Sequence, residues 1–467
     1  MQVKLHEYTM PGVRVPASFY RGGTSKGLLL RAADLAPYAP TTRDAIVCTA
    51  MGSPDPDGRQ IDGLGGGASS LSKVALVSKP GQGLYTRLLA KLGGKWKLPG
   101  VAWADDVRRA HDPEDGWDVV YRFGQVPIRG TEVDWKSTCG NLLAAVGLYA
   151  MQNKLLDNAA IQRAAEERGA TDTFPMPIRI LMASTGKRAT VSVPMRRNAR
   201  SKGTWELSTD EDTSVAGVPG KAPGIQVAVP LDATFLPTGN VCDSITVDDK
   251  PVRVSIIDAG LPTVFVHAAD LDVSEAQLVK TAAELDTDTL LHAKIEAVRQ
   301  AAAQCTPALQ QALCSSAPKV VLVHTRTTYT TSGGDAVRAE DMDLLVRPVS
   351  VGQFHRSIMA TGLSALSVGA AYPESIIGEA LAQGGAAASP CASTKKAVSN
   401  DAQRAITVGQ PAGTSTATVE LKNGTPTSIV YDRTARRIIE GNLDIPPRVA
   451  QRWAREYAAL FEQHKSK

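Results

Sequence analysis

Two kinds of hydrophobic pattern alternate along the chain. Over Val13–Arg31 (VRVPASFYRGGTSKGLLLR) apolar residues recur at about every second position on either side of Arg21-Gly22-Gly23-Thr24-Ser25-Lys26-Gly27, which predicts two strands joined by a glycine-rich turn. Strands are likewise expected at Val74–Val77, Trp117–Phe123, Gly124–Ile128, Pro175–Met195, Ile225–Val229, Val252–Ile257, Thr263–His267, Val320–His324, 341–348 and Ala417–Gly441. Two stretches differ: STCGNLLAAVGLYAM (Ser137–Met151, running on to about Leu155) and IMATGLSALSVGAAY (Ile358–Tyr372) repeat at helical spacing and are apolar on nearly all faces. A helix with no polar face must be surrounded, and strands wrapped around it would do so. Less apolar helices are expected near Asp157–Arg168, across Ser274–Leu313 and from Pro446.

The halves therefore read as two copies of one plan, each with many short strands and one buried helix that begins with polar residues. The expected class is α+β, with an N-terminal unit over 1–205 (central helix about 139–155) and a C-terminal unit over 206–467 (central helix about 353–371). Residues 196–224 are polar, glycine-rich and aperiodic, and are expected to be a linker. Residues 85–117 are expected to be a surface excursion, and 384–400, a low-complexity stretch, a loop. Two such units side by side would aim two helix N-termini at one cleft, a setting for a substrate with two or three carboxylates.

Each polar start has a chemical and a plain reading. Ser137-Thr138-Cys139-Gly140-Asn141 places a thiol at the positive end of a buried helix, suited to an anion or a thiolate, although cysteine is also an ordinary small core residue. Arg21–Gly27 offers backbone amides to a carboxylate or phosphate, or is simply a turn, and it lacks the GxxxxGK[ST] spacing of a Walker loop. In QIDGLGGGASSLSKVALVS (Gln60–Ser78), Lys73 follows a glycine loop and opens an apolar strand. Apolar neighbours would lower its pKa and make it a base, whereas snorkelling would carry it to the surface. Gly352–Ser357 brings His355 and Arg356 to the second helix, as site groups or as local caps.

Composition narrows the field. The 467 residues carry 51 Lys and Arg against 47 Asp and Glu, a net charge of +4 that is too weak over this length to argue for nucleic acid. The six cysteines form no CxxC pair and the seven histidines are scattered, so neither a disulfide framework nor a metal site is expected. MQVKLHEYTMPG lacks a signal-peptide core and no run of 18 apolar residues occurs, so no membrane span and a cytoplasmic location are expected. The expected partner is a small di- or tricarboxylate. Self-association into a homo-oligomer is compatible with all of this.

Nine motifs then occur in a telling order: RGGTSKG (Arg21–Gly27), IDGLGGGASSLSKVALV (Ile61–Val77), FGQV (Phe123–Val126), CGN (Cys139–Asn141), FLPTGN (Phe235–Asn240), DAGLPTVFV (Asp258–Val266), PKVVLV (Pro318–Val323), HR with its apolar helix (His355–Tyr372), and TARRIIEG (Thr434–Gly441). Together they resemble the 2-methylaconitate cis–trans isomerase family, which also includes aconitate and methylitaconate Δ-isomerases and 4-oxalomesaconate tautomerase. The resemblance spans nearly the whole chain. It implies a diaminopimelate-epimerase-like fold, two pseudo-symmetric units each with a mostly antiparallel sheet curled around a central helix. It implies Lys73 and Cys139 as proton-transfer groups. It also implies Arg21, Gly22, Gly23, Thr24, Ser25, Ser70, Ser72, Gly140, Asn141, Lys319, His355 and Arg356 as the carboxylate site. No metal or organic cofactor is implied. Gln410 and Ala412 stand where relatives commonly carry His and Ser.

The implied chemistry is allylic proton transfer. Lys73 would take a proton from an alkene flanked by carboxylates, and amides, Lys319 and Arg356 would stabilise the dienolate. Return to the same carbon gives cis–trans isomerisation; delivery to the far carbon, from Cys139, shifts the double bond. Two rivals stand beside this. A two-thiol racemase would need a second cysteine at the second helix start, where Phe354-His355-Arg356 stands. A polycarboxylate binder would keep the anion loops and exchange no protons.

Overall fold

The computed structural model describes residues 12–36, 38–80, 116–201, 203–231, 234–385 and 401–449. Its main feature is a mixed sheet of eighteen strands among the described residues. The sheet has two parts with one plan. In the first, the hydrogen-bonded order is Ala435–Ile445, Val13–Gly22, Ser25–Arg31, Lys73–Ser78, Val119–Gln125, Thr173–Met182, Lys187–Arg197 and Ile225–Pro230. In the second it is Asp243–Val247, Lys250–Asp258, Pro262–His267, Lys319–Thr325, Leu344–Ser350, Asp401–Gln410, Gly413–Lys422 and Thr425–Arg433. Read in order, both parts pair antiparallel, antiparallel, parallel, antiparallel, parallel, antiparallel, antiparallel. Ile225–Pro230 and Thr425–Arg433 pair antiparallel and join them. Ala435–Ile445, the last strand among the described residues, thus lies in the first part, beside Val13–Gly22.

Each part curls around one helix. Gly140–Gln152 packs against Val13–Gly22, Ser25–Arg31, Lys187–Arg197, Ile225–Pro230 and Ala435–Ile445. Ala360–Gly369, buried along its whole length, packs against Lys250–Asp258, Pro262–His267, Asp401–Gln410, Gly413–Lys422 and Thr425–Arg433. The all-round apolar pattern has this cause: with strands on several sides, no face is left for polar side chains. Both helices share one core with the inner faces of the strands. The outer faces carry separate cores, one under Pro40–Met51 and one under the helices of 275–312. The fold is thus α+β with two pseudo-symmetric units, as expected.

Two expectations need correction. The second central helix begins at Ala360, not near 353. Gln353–Phe354 instead folds back on Val349–Ser350 through Val351 and Gly352, both at positive φ (55° and 66°), the geometry of a two-residue hairpin. The polar run Gln353–Ser357 offers no apolar face at helical spacing, so nothing drives it to extend the helix. Residues 196–224 are not a structureless linker: Trp205–Leu207 extends the sheet beside Met195–Arg197, and Thr213–Val215 pairs with Val218–Ala222. The residues 81–115 and 386–400, which hold most of the expected surface excursion and low-complexity loop, lie outside the described residues, as does the C-terminal helix beyond 449. No helix among the described residues is long and apolar enough to cross a membrane.

Candidate active site

Lys73 opens its strand, and the strand's parallel partner places Gly27 beside it. The strand runs into the core, so Lys73 is buried, only 6% accessible. Nζ donates to Oε1 of Gln125 at 2.7 Å and lies 5.2 Å from the centre of the Phe123 ring. The Gln125 amide cannot turn away, because its nitrogen donates to the carbonyls of Ser69 and Ser72 at 3.0 and 2.9 Å. The amine therefore faces a neutral oxygen and an aromatic ring. Burial lowers the Lys73 pKa from the ordinary lysine value, with the nearby Cys139 charge pulling the other way.

Cys139 is the N-cap of the first central helix, in extended backbone, with its Sγ 3.8 Å from Oγ of Ser25. The second central helix has Met359 at the same position. Neither side chain caps its own helix, so the first amides of both helices are left for a ligand or solvent. The two N-termini meet: a Cβ on Gly140 would lie 2.8 Å from Cβ of Ala360. A polar scaffold holds this junction. Arg433, buried, donates to Oδ1 of Asn141 at 2.8 Å; Nδ2 of Asn141 donates to Oγ1 of Thr24 at 3.2 Å; Ser357 donates to the same oxygen at 2.7 Å. The amide of Ile358 donates to Oε1 of Gln410, which anchors the approach to the second helix.

Lys319 and His355 complete the wall. Lys319 opens the strand Lys319–Thr325 and donates to the Ser316 carbonyl at 3.2 Å. Ser315 and Ser316 in turn donate to Oδ2 of Asp134 at 3.0 and 2.9 Å, tying the second unit to the first. Burial, then the charge of Lys73, brings the Lys319 pKa down to about 8. His355, whose Nε2 is 3.1 Å from Oγ of Ser69, is pushed down to about 3 by burial and by Lys73 and Lys319, and so stays neutral.

These groups line a cleft walled by Ser25, Lys73, Phe123, Gln125, Thr138, Cys139, Gly140, Asn141, Ser316, Lys319, Ser350, His355, Met359, Ala360 and Thr361. Of the expected site residues, Lys73, Cys139, Ser25, Gly140, Asn141, Lys319 and His355 come together here. The others do not line it. Gly22 and Gly23 lie behind the wall, where a Cβ would strike Asn141 at 2.7 Å in either case; they let the turn press on the helix N-terminus. Thr24 is in the scaffold. Arg21 braces the same turn, its Nη1 donating to the carbonyls of Gly23 and Thr434 at 3.1 and 2.9 Å. Ser72 bonds to Gln60 and to the Ala68 carbonyl, and Ser70 is half-buried off the cleft, whereas its neighbour Ser69 holds His355. Arg356 is exposed, because the hairpin before the helix turns it outward.

Sequence reasoning missed Gln125, Phe123, Ser316, Ser350 and Met359. Gln125 and Phe123 stand in the FGQV motif, and their alternation on one strand was the available signal. Among the described residues no group of three or more His, Cys, Asp or Glu side chains is placed to hold a metal ion. Among the described residues no lining residue is Asp or Glu. Two amines and two helix N-termini with no carboxylate favour a bound polyanion, and a buried amine beside a thiol favours proton transfer.

Comparisons with known proteins place the chain in a family. The family model described as "PrpF protein" matches residues 12–84 and 106–446. The 2-methyl-aconitate isomerase of Shewanella oneidensis is 31% identical over 457 residues, 93% of this chain and 98% of that one. The enzyme of the same name from Cupriavidus necator is 30% identical over 94% of this chain and 98% of its own length. A crystal structure of methylitaconate-delta-isomerase superposes with a TM-score of 0.61 at 24% identity, covering 94% of this chain and 97% of that one, which supports the fold. The chain belongs to the PrpF family and is an isomerase.

Proposed function

We propose that this isomerase acts on unsaturated di- and tricarboxylates of the aconitate and 2-alkylaconitate type, by allylic proton transfer and without a cofactor. The observation that carries the reading is the buried Lys73 amine, which donates to the neutral Gln125 amide in a cleft it shares with Cys139 and in which no described lining residue is a carboxylate. A lysine in that setting spends more of its time neutral, the form that removes a proton. The helix N-termini and Lys319 bind the substrate carboxylates and stabilise the dienolate as its charge grows. In the dienolate the former double bond loses order and rotates. Return of the proton to the carbon that lost it gives cis–trans isomerisation, and delivery to the far allylic carbon, from Cys139 in the same cleft, shifts the double bond. Relatives named for 2-methylaconitate point to the same substrate class.

Proton NMR in deuterated water with cis-aconitate and 2-methylaconitate tests this. The reading expects loss of the methylene proton signal together with the isomerised product. Binding of either acid with no exchange makes the chain a polycarboxylate binder and refutes the reading. Exchange confined to oxo-substituted analogues would move it to keto–enol tautomerisation.

A further inference from the structure

The two parts of the sheet hold their helix starts by the same device. Thr173–Met182 and Asp401–Gln410 are the sixth strands of the two parts, and each runs parallel to the fifth, Tyr121 pairing with Met182 and Leu345 with Gly409. The final residue of each strand meets the residue just before a helix N-cap. In the first part Oγ1 of Thr138 donates to Sδ of Met182 at 3.4 Å, and Cys139 follows. In the second the amide of Ile358 donates to Oε1 of Gln410, and Met359 follows. A thioether is a weak acceptor and an amide oxygen a good one, so the second helix start is the more firmly held.

Gln410 is itself fixed. It is fully buried, and its side-chain amide has one orientation: Nε2 donates to Oγ of Ser415 at 2.8 Å, which leaves Oε1 for Ile358. Its backbone is tied at both ends, because its amide donates to Oη of Tyr329 at 2.8 Å and that hydroxyl lies 2.6 Å from its carbonyl oxygen. Beyond Ile358 the chain enters the cleft. Met359, Ala360 and Thr361 line it, and Met359 does not cap the helix, so the amides of the first turn are free for what the cleft holds.

We propose that Gln410 is a positioning residue of this site: through the Ile358 amide it fixes the first turn of the second central helix so that its free amides grip one carboxylate of the substrate. The proposal rests on the reading of the cleft as a polycarboxylate site, and it gives each helix start its own part. The first carries Cys139 to the reacting carbons. The second, held from outside the cleft, carries a carboxylate that stays in place while the carbons rearrange. Hydrogen bonds weaken steeply with angle and distance, so a small shift of this turn loosens the grip without touching Lys73 or Cys139.

The test is calorimetric titration with trans-aconitate and with three dicarboxylates that each lack one of its carboxylates: itaconate, mesaconate and cis-glutaconate. Gln410→Met keeps the length of the side chain and removes the acceptor. It should weaken trans-aconitate binding by about tenfold or more, about 1.4 kcal/mol by that ratio and within the worth of one hydrogen bond. The same loss should appear with the two dicarboxylates that retain the gripped carboxylate and vanish with the one that lacks it. In steady-state kinetics KM for cis-aconitate should rise by a similar factor and kcat should fall by less. Ser415→Ala frees the Gln410 amide to turn and should give the same pattern at about threefold, and it carries the test if Gln410→Met fails to fold in a thermal melt. Equal loss with all four ligands would overturn the proposal and make Gln410 a support of the fold alone. Affinities within about twofold of wild type for all four would overturn it too. Calorimetry needs no turnover, so a wild-type chain that binds trans-aconitate and exchanges no C–H proton would overturn the isomerase reading, while the carboxylate pattern still decides this one.

Discussion

Gln125→Glu tests whether Lys73 works as a neutral base. The new carboxylate would stand where the amide oxygen accepts from Nζ at 2.7 Å. At an effective dielectric constant of about 20, a unit charge pair at that distance gains roughly 6 kcal/mol. Against this, the amide nitrogen that donates to the Ser69 and Ser72 carbonyls at 3.0 and 2.9 Å is replaced by an oxygen that repels both. Two broken buried hydrogen bonds cost about 1–2 kcal/mol each. Those losses fall equally on both protonation states of Lys73 and so lower stability, while the charge pair, even when screened at the cleft, favours the ammonium form and raises the Lys73 pKa by roughly 2 units or more. A base that must be neutral then becomes active only at higher pH, so the rising limb of the pH–rate profile moves up by about 2 units and kcat at neutral pH falls about 100-fold. The assay is kcat for cis-aconitate isomerisation against pH, with a thermal melt to establish that the variant is folded. A folded Gln125→Glu enzyme whose profile overlays that of wild type would refute the argument.

Three further outcomes follow from the same geometry. Cys139→Ser should slow double-bond migration by about 10- to 100-fold and cis–trans isomerisation by less, measured by steady-state kinetics with 2-methylaconitate, because a hydroxyl replaces the thiol at the same helix N-terminus. Gly22→Ala places a methyl 2.7 Å from the Asn141 carbonyl and 2.9 Å from Cβ of Ala145, so urea denaturation should show a loss of about 1–3 kcal/mol and kcat/KM should fall as the helix N-terminus shifts. His355 has its pKa pushed down to about 3 in the folded chain against about 6.5 when unfolded. The unfolded chain binds the extra proton between those values, so stability falls as pH drops through that window, and His355→Gln should flatten that part of the denaturation-versus-pH curve.

What could be read without coordinates was what local patterns encode. The two all-apolar helices, the strand ends carrying Lys73 and Lys319, and the cap position of Cys139 all follow from spacing within a dozen residues. What could not be read depends on contacts between distant parts of the chain. Arg21 looked like an anion ligand in a glycine loop, yet its guanidinium is taken up by Thr434, on the far side of the sequence. Arg356 looked like a residue of the second helix, but the Val351-Gly352 turn precedes a hairpin, which leaves it exposed. The same shift makes Met359 the counterpart of Cys139, so the second helix start carries a thioether where a two-thiol racemase would need a thiol. Gln125 was visible as a strand residue, but its role arises only because two carbonyls from the Ser69–Ser72 turn orient its amide towards Lys73.

The central claim is that the Lys73 amine removes the allylic proton. The direct measurement is solvent-deuterium exchange at the methylene of cis-aconitate by Lys73→Ala, followed by proton NMR on folded protein that still binds trans-aconitate. The account predicts a fall in exchange of about 100-fold or more, partly restored by added methylamine. Exchange by Lys73→Ala at a rate close to that of wild type would contradict it.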